Sequence, residues 1–420
     1  MNTKAPPFVS QQRNLIACHH CGYINDYISI KPGDESDCGR CGHQLYSERK
    51  NWETRTIALS VAGIILFICS NCFSFLGLEA GYQFQESTLL SGVYALYARE
   101  QYLLSLLVFL TIFLFPLTEL FALSYVFIGR LLNRRPPGLS VFLHFLFRAR
   151  QWNMLEIFLC GVLVTSVKLG ETATLLPGFG LLSFALLVAI LIVINLHISR
   201  IHLWNWYQRD NFFFLPKDRS FYNCTACNAI VGQLLWQQQR HCPRCEYTIA
   251  PRIENSVQKT TALLIASVIL YIPAMILPIM SVTTLGKASQ DTIMSGVVHL
   301  FHEGMWVIGL IVFIASILVP VTKLVIMGYL VWSVHNQHTQ HQRARQRLYH
   351  ITEFVGRWSM IDVFVITLLV ALVQFGVLMN IQPEAAALAF ASVVILTMLA
   401  AETFDPRLIW DKPTNRTPAL

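Results

Sequence analysis

Charge is scarce in this sequence. Only 13% of its 420 residues are Asp, Glu, Lys or Arg, against about 25% in a typical soluble domain. That shortage excludes the ordinary soluble class for a chain of this length. Familiar signatures of catalysis are missing too. There is no Walker-A loop, no GxGxxG after a strand, no HExxH pair and no nucleophile elbow. ATP hydrolysis is therefore not expected, and neither is any other enzymatic activity. The first residues, MNTKAPPFVSQQRN, have no apolar h-region, so no cleavable signal peptide is expected. Nor is a large extramembrane domain expected. The outward connections are short, so a chain that moves material beyond its own membrane needs a partner.

What is present is apolar length. The chain is 54% hydrophobic with a mean hydropathy of +0.50. A membrane-spanning helix needs roughly 20 apolar residues. Eight spans are expected, near 56–78, 102–129, 155–176, 179–199, 260–281, 305–333, 361–380 and 384–403. The third is interrupted by Lys168 and Glu171. The net charge of +7 could suggest nucleic acid, but its distribution argues against that. Arg130, Arg134, Arg135, Arg148 and Arg150 fall in one connection, Arg343, Arg345, Arg347 and Arg357 in another, and Arg407, Lys412 and Arg416 in the tail. The alternate connections are neutral or acidic. The positive-inside rule then puts both termini in the cytoplasm, which requires an even number of spans. Anionic lipid headgroups are a secondary partner for the basic loops. The histidines around 335–350 read as a solvated segment rather than a metal site.

The two halves repeat at an offset of 204–206 residues. LLSGVYALY (89–97) resembles IMSGVVHLF (293–301), and Pro116-Leu-Thr-Glu119-Leu resembles Pro320-Val-Thr-Lys323-Leu. RQWNMLEIF (150–158) matches GRWSMIDVF (356–364), aligning Trp152 with Trp358 and Glu156 with Asp362. HLWN (202–205) resembles LIWD (408–411). The expected fold is an all-α polytopic membrane protein, a tandem repeat of two four-helix transmembrane units, each preceded by a small zinc-ribbon domain. The divisions are 1–55 for the first ribbon, 56–205 for the first unit, 206–258 for the second ribbon, 259–404 for the second unit and 405–420 for a cytoplasmic tail. Four spans per unit is an even number. The units therefore share one orientation and are related by an axis along the membrane normal, a repeat type found in transporters.

The strongest site signal is cysteine. Cys18-x2-Cys21-x16-Cys38-x2-Cys41 and Cys224-x2-Cys227-x14-Cys242-x2-Cys245 both have zinc-ribbon form. Two CxxC knuckles can bring four thiolates to one tetrahedral ion. Gly22, Gly39 and Gly42 suit tight knuckle turns. Disulfide pairing is disfavoured in a reducing cytoplasm. Two structural Zn2+ ions are expected, with iron an open alternative at an all-sulfur site. Cys69, Cys72 and Cys160 lie within spans, where cysteine packs as a small apolar residue; a redox pair at Cys69 and Cys72 is the other reading.

Intramembrane charge comes next. Lys323 lies about ten residues from the expected cytoplasmic end of its span, ~15 Å deep at ~1.5 Å per residue, and Glu119 is at the equivalent depth in the first half. A charge there costs at least ~2.5–3.5 kcal/mol and usually marks a function. Each follows a proline by three residues, Pro116 or Pro320, so a helix kink is expected beside each. Both charges are expected in or near a polar path through the bundle; a buried ion pair that only fixes packing is the alternative. Lys168 and Glu171 share a helix face and either line an exit or snorkel to the interface. Trp152 and Trp358 suit interfacial anchoring, and Glu156 and Asp362 favour the helix dipole of the span they begin.

Taken together, GRWSMIDVFVI (356–366), TFDPRLIWD (403–411), LVPVTKL (318–324), EIFLCGVLVTSVKL (156–169) and the two ribbons resemble the paraquat-inducible protein A family over nearly the whole chain. One departure is Asn71-Cys72-Phe73-Ser74-Phe75, which lacks the proline present as Pro278 in the second half. The resemblance implies a multi-pass protein of the Gram-negative inner membrane with cytoplasmic zinc ribbons. It implies a periplasmic MCE-domain partner forming a tunnel, phospholipid as cargo, and a role in envelope integrity and stress response. It places the family's polar core residues on Lys323, Thr322 and Glu171. Two other readings stay open: a non-transporting anchor or gate for the MCE partner, and a redox- or stress-responsive membrane protein.

Overall fold

A computed structural model of the chain describes residues 15–28, 30–31, 33–47, 52–80, 83–132, 138–169, 174–198, 203–204, 221–233, 237, 240–250, 252–284, 287–372 and 379–411. Glu171 lies outside these residues, and so does the side chain of Lys168, whose backbone is helical. Among the described residues, seven helices are long and apolar enough to cross a membrane: Thr54–Cys72, Tyr102–Gly129, Phe179–His197, Ser256–Ile276, Gly309–His335, Gln342–Leu372 and Ala385–Thr403.

The all-α expectation needs correction. The expected spans at 56–78, 155–176, 260–281 and 361–380 each end in a β-strand: Leu76–Ala80, Thr174–Pro177, Met280–Thr284 and Met379–Pro383. Hydropathy marks apolar length but does not separate a short apolar strand from the end of a helix. The third expected span is a helix over Leu155–Leu169, ~22 Å at ~1.5 Å per residue, short of the ~30 Å hydrocarbon core. Each half carries one antiparallel three-stranded sheet. The first runs Gln83–Ser87, Leu76–Ala80, Thr174–Pro177, and the second Lys287–Asp291, Met280–Thr284, Met379–Pro383. In both, the strand after the unit's first helix is central, and the strand just before the unit's last helix completes the sheet. The sequence reading took these segments for helix ends and short connections.

The matched turns show why the halves fold alike. In the second half, Pro278 disfavours helix at the residue before it, and Leu277 is extended at ψ 155°. The first half has no such proline and closes the corner by backbone approach. A Cβ on Gly178 would fall 2.1 Å from the Ser74 carbonyl oxygen, so only glycine fits there.

Within each unit the first and last long helices pack along their length: Trp52–Cys72 on Phe179–His197, and Ser256–Ile276 on Ala385–Thr403. The third helices, Leu155–Leu169 and Ile361–Leu372, meet at the centre of the molecule. Gly161 lies against Phe364 there, and the Phe158 and Phe364 rings are 5.4 Å apart edge to face. Residues from both units share this one apolar core. Ile65, Ile68, Val268 and Ile269 remain exposed on the outer helices, as expected of a lipid-facing surface.

The ribbons are exchanged between the units. Cys18, Cys21 and Cys38 of the first ribbon pack with Leu330, Val334, Tyr349, Phe404 and Trp410 of the second half. Cys224, Cys227, Cys242 and Cys245 of the second ribbon pack with Leu123, Phe127, Leu143 and Trp204 of the first. Polar contacts repeat the pattern. The Arg343 side chain donates to the Arg40 carbonyl at 3.2 Å, and Arg40 sits 4.5 Å over the Trp410 ring. The Ser140 hydroxyl donates to the Cys245 carbonyl at 2.9 Å, and His144 stacks on Tyr247 at 5.2 Å.

Candidate functional site

Each ribbon is built from two knuckles with one backbone plan. In the first, the Gly22 amide donates to the Cys18 carbonyl at 2.8 Å and the Gly42 amide to the Cys38 carbonyl at 2.9 Å. The Asn228 and Glu246 amides repeat this to Cys224 and Cys242 at 2.9 and 2.8 Å. The turn requires a positive φ: 70° at Gly22, 71° at Gly42, 59° at Asn228 and 61° at Glu246. Two knuckles therefore hold a left-handed non-glycine residue. Gly39, also expected as a turn glycine, is not at positive φ.

The sulfurs of Cys18 and Cys41 are 3.6 Å apart, and those of Cys21 and Cys38, Cys224 and Cys245, and Cys227 and Cys242 are 3.5 Å apart. A sulfur tetrahedron at a Zn–S distance of ~2.3 Å has edges of about 3.8 Å, whereas a disulfide needs ~2.05 Å. The spacing fits a metal ion and not a disulfide. Hydrogen bonds from Cys18 and Cys21 hold the Cys41 thiol below its ordinary value, while the Cys18 and Cys21 thiols that share those bonds are pushed up. Seven of the eight cysteines are buried, leaving no ligand position open to solvent. A bound dication would supply the charge that holds four thiolates together, a structural role. Of the remaining cysteines, Cys69 and Cys160 are half-buried and Cys72 is exposed.

The intramembrane charges occupy matching places with different surroundings. Before each, the helix opens into a π turn, Leu110–Leu114 ahead of Pro116 and Ile314–Leu318 ahead of Pro320. Proline lacks the N–H of a regular turn; the Phe115 and Val319 amides reach back five residues, to the Leu110 and Ile314 carbonyls. π turns inside helices frequently mark functional positions.

Glu119 is buried, at 1% exposure. Its Oε2 accepts from the Asn153 amide at 2.6 Å, and the Arg150 guanidinium lies 4.0 Å from Oε1. Asn153 breaks the first unit's helix: its backbone is extended, and its side-chain oxygen accepts from the Leu155 amide at 3.3 Å, a local bond that competes with helix. Lys323 is 2% exposed. Its ammonium donates to the Thr397 hydroxyl at 2.9 Å and the Gly356 carbonyl at 3.3 Å. Among the described residues no carboxylate pairs with it. The two charges therefore do not pair with each other, which removes the expectation of a Glu119–Lys323 ion pair.

Lys323 borders a cavity of about 700 Å³ that opens between the exchanged ribbons and both units. Arg150, Arg357, Glu402, Asp405 and His20 also line it. Arg148 of the first half reaches Glu402 of the second at 3.4 Å, largely in solvent. Burial alone would raise the Asp405 carboxyl, but two hydrogen bonds from Arg407, at 2.8 and 2.7 Å, hold it below the usual carboxylate range. A second cavity of about 300 Å³ lies behind Arg150, between Asn153, Glu156, Asn195 and Arg357.

The other expected residues divide. Thr322 is on the exposed face of its helix, turned away from Lys323. Pro116, Pro320 and Asp362 are buried, Trp152 is half-buried, and Glu156 and Trp358 are exposed. Sequence reasoning missed Thr397, whose first-half counterpart at the repeat offset is Leu191, so periodicity gave no signal. It also assigned Arg150 to topology, where the structure aims it at Glu119.

Two segments, 54–208 and 257–414, each match the family model described as Paraquat-inducible protein A. The chain belongs to the paraquat-inducible protein A family. It is 35% identical over 412 residues to the intermembrane transport protein PqiA of Escherichia coli K12, covering 94% of this chain and 95% of that one. It is 32% identical over 396 residues to lipophilic envelope-spanning tunnel protein A of the same organism, covering 94% and 90%. It is 29% identical over 419 residues to a probable intermembrane transport protein of Haemophilus influenzae, covering 97% of each. No solved structure matches the chain. The family model matches once in each half, in keeping with the two-part repeat, and the chain is a multi-pass membrane protein with two four-cysteine clusters.

Proposed function

We propose that this protein is the inner-membrane component of an envelope lipid-transport system, loading or extracting phospholipid for a periplasm-spanning MCE-domain partner. The observation that carries this reading is Lys323, a buried intramembrane lysine at the edge of a cavity of about 700 Å³. An anchor has no use for such a group. A buried charge costs several kcal/mol and persists where it meets a substrate or a proton path. The acceptors around it, Thr397 and Gly356, are neutral, and a neutral amine still donates to them, though more weakly than an ammonium. Lys323 can therefore load and release a proton without losing its partners, the property a proton-coupled step needs. Both termini and both ribbons face the cytoplasm, so the cavity is the cytoplasmic approach to mid-membrane. The ribbons hold structural Zn2+. The relatives' printed names, intermembrane transport and envelope-spanning tunnel, support the direction of this reading.

The test expresses the chain with its periplasmic partner in cells lacking the endogenous system. Wild type is compared with Lys323→Ala and Thr397→Val after assembly is verified for each. Envelope-stress survival and lipid crosslinked to the complex are read together. Normal assembly with loss of both readouts supports a transport element. Full function in Lys323→Ala overturns it in favour of a passive anchor.

A further inference from the structure

Beyond the two four-cysteine clusters, the first ribbon carries three histidines that the knuckle fold does not need. His19 and His20 occupy the turn between Cys18 and Cys21, and His43 follows the second knuckle. Their side-chain nitrogens lie within 4.8 Å of one another. The ring centroids are 4.1 Å apart for His19 and His20, 4.0 Å for His20 and His43, and 5.0 Å for His19 and His43. The repeat supplies an internal control. The same three positions of the second ribbon are Thr225, Ala226 and Tyr247, and that ribbon forms the same knuckles with the same hydrogen bonds. Three imidazoles converging at one end of one ribbon are therefore an addition to the fold.

The docking contact tells the same story. In the first unit His144 stacks on Tyr247 at 5.2 Å; in the second, His350 stacks on His43 at 5.2 Å. The stack belongs to both ribbons, but only one of them builds it from a metal-binding ring. His350 is half-buried, with its ring 4.3 Å from His20, which corrects the expectation that the histidines around 335–350 are all solvated. Its Nε2 meets the Gln346 amide nitrogen at 3.2 Å, and its Nδ1 faces Glu353 at 3.9 Å. It is therefore the wall of the cluster, supplied by the opposite unit, rather than one of its ligands.

We propose that His19, His20 and His43 form a third metal site, for a divalent transition ion that favours imidazole, such as Zn2+, Co2+, Ni2+ or Cu2+. Three protein nitrogens leave a fourth position for water or a further ligand. His19 and His20 border the cavity of about 700 Å³, so that position faces the cavity. The site stands apart from the sulfur tetrahedra, which are closed.

The experiment uses the full chain, purified through a tag without histidine and held in lipid nanodiscs. Metal content is counted after loading with Zn2+ and removal of loosely held ion. Wild type is expected to retain one ion more than its two cysteine clusters account for. His43→Tyr, and separately His19→Thr with His20→Ala, install the second ribbon's own residues and are expected to lose that one ion and keep the other two. With the cysteine clusters filled by Zn2+, one further equivalent of Co2+ should give weak d–d absorption without the intense thiolate charge-transfer band, a readout that needs no variant. Two ions in the wild type, an extra ion that survives both variants, or thiolate bands from the added Co2+ would each overturn the proposal.

Discussion

Glu119 and Lys323 stand at the same place in the two repeats, behind the same π turn and proline, and their surroundings differ at several aligned positions. In the first unit position 150 is arginine, and its guanidinium reaches the buried carboxylate. In the second the aligned residue is Gly356, which offers only a carbonyl; a Cβ there would lie 3.4 Å from the Lys323 side chain. Position 153 differs as well. Asn153 breaks its helix and bonds Glu119, whereas Ser359 sits in a 3-10 turn that carries the helix through from Gln342 to Leu372. The first unit has compensated its buried charge; the second has left one held by neutral groups beside a cavity. The repeat supplies two equal positions, one with a charged partner for its buried group and one with neutral partners only.

The comparison can be broken at several points. The largest effect is expected from the ribbons, because apparent binding energies at such clusters reach ~10–16 kcal/mol. Cys21→Ser should unfold the first ribbon and lose its ion. The exchange of ribbons makes the location of the damage specific. Hydrogen exchange should accelerate in Gln342–Gly356 of the second unit and not in Leu139–Trp152 of the first, and Cys227→Ser should do the reverse. Damage confined to each ribbon's own unit would refute the exchanged arrangement.

Arg150→Ala comes next. It leaves Glu119 buried without its cation, and breaking such a pair costs ~3–5 kcal/mol, visible as a lower thermal midpoint in nanodiscs. Lys323→Met is its counterpart. Replacing a buried charge by an apolar chain of similar size is often neutral or stabilising, so that midpoint should hold or rise while transport is lost. Equal destabilisation by both variants would mean the two sites play one structural role.

A pH effect is expected outside the bundle. Asp405 is held below its unfolded value near 3.9. It therefore contributes stability in full above about pH 4 and loses it as pH falls through the folded value. Wild type and Asp405→Asn should differ in thermal midpoint at neutral pH and converge under acid. The smallest effect is Gly356→Ala. Alanine favours helix by ~0.5–1 kcal/mol, and its methyl presses on Lys323, so transport should fall by less than in Lys323→Ala while stability rises slightly. Unchanged transport would show that the position of the lysine has slack.

Some of this was legible in the residues. The two knuckle pairs announced four-cysteine clusters because metal chemistry fixes ligand spacing along the chain. The placing of Lys323 and Glu119 inside long apolar helices followed from the apolar runs around them. The partners of those charges were not legible. Thr397 and Asn153 have no acidic or basic signature, and Thr397 has no polar counterpart in the other half. The sheets were hidden because their strands continue the apolar runs of the spans before them.

The sequence by itself determined membrane residence, the repeat, the cysteine clusters and the placing of two charges within apolar helices. These are properties of composition and local spacing, which survive without knowledge of neighbours in space. Only the tertiary structure decided that each ribbon docks on the opposite unit, that Glu119 meets Arg150 while Lys323 meets Thr397, and that three histidines converge beside His350. Those contacts join residues far apart in the chain, and packing across the interface between the halves selects them.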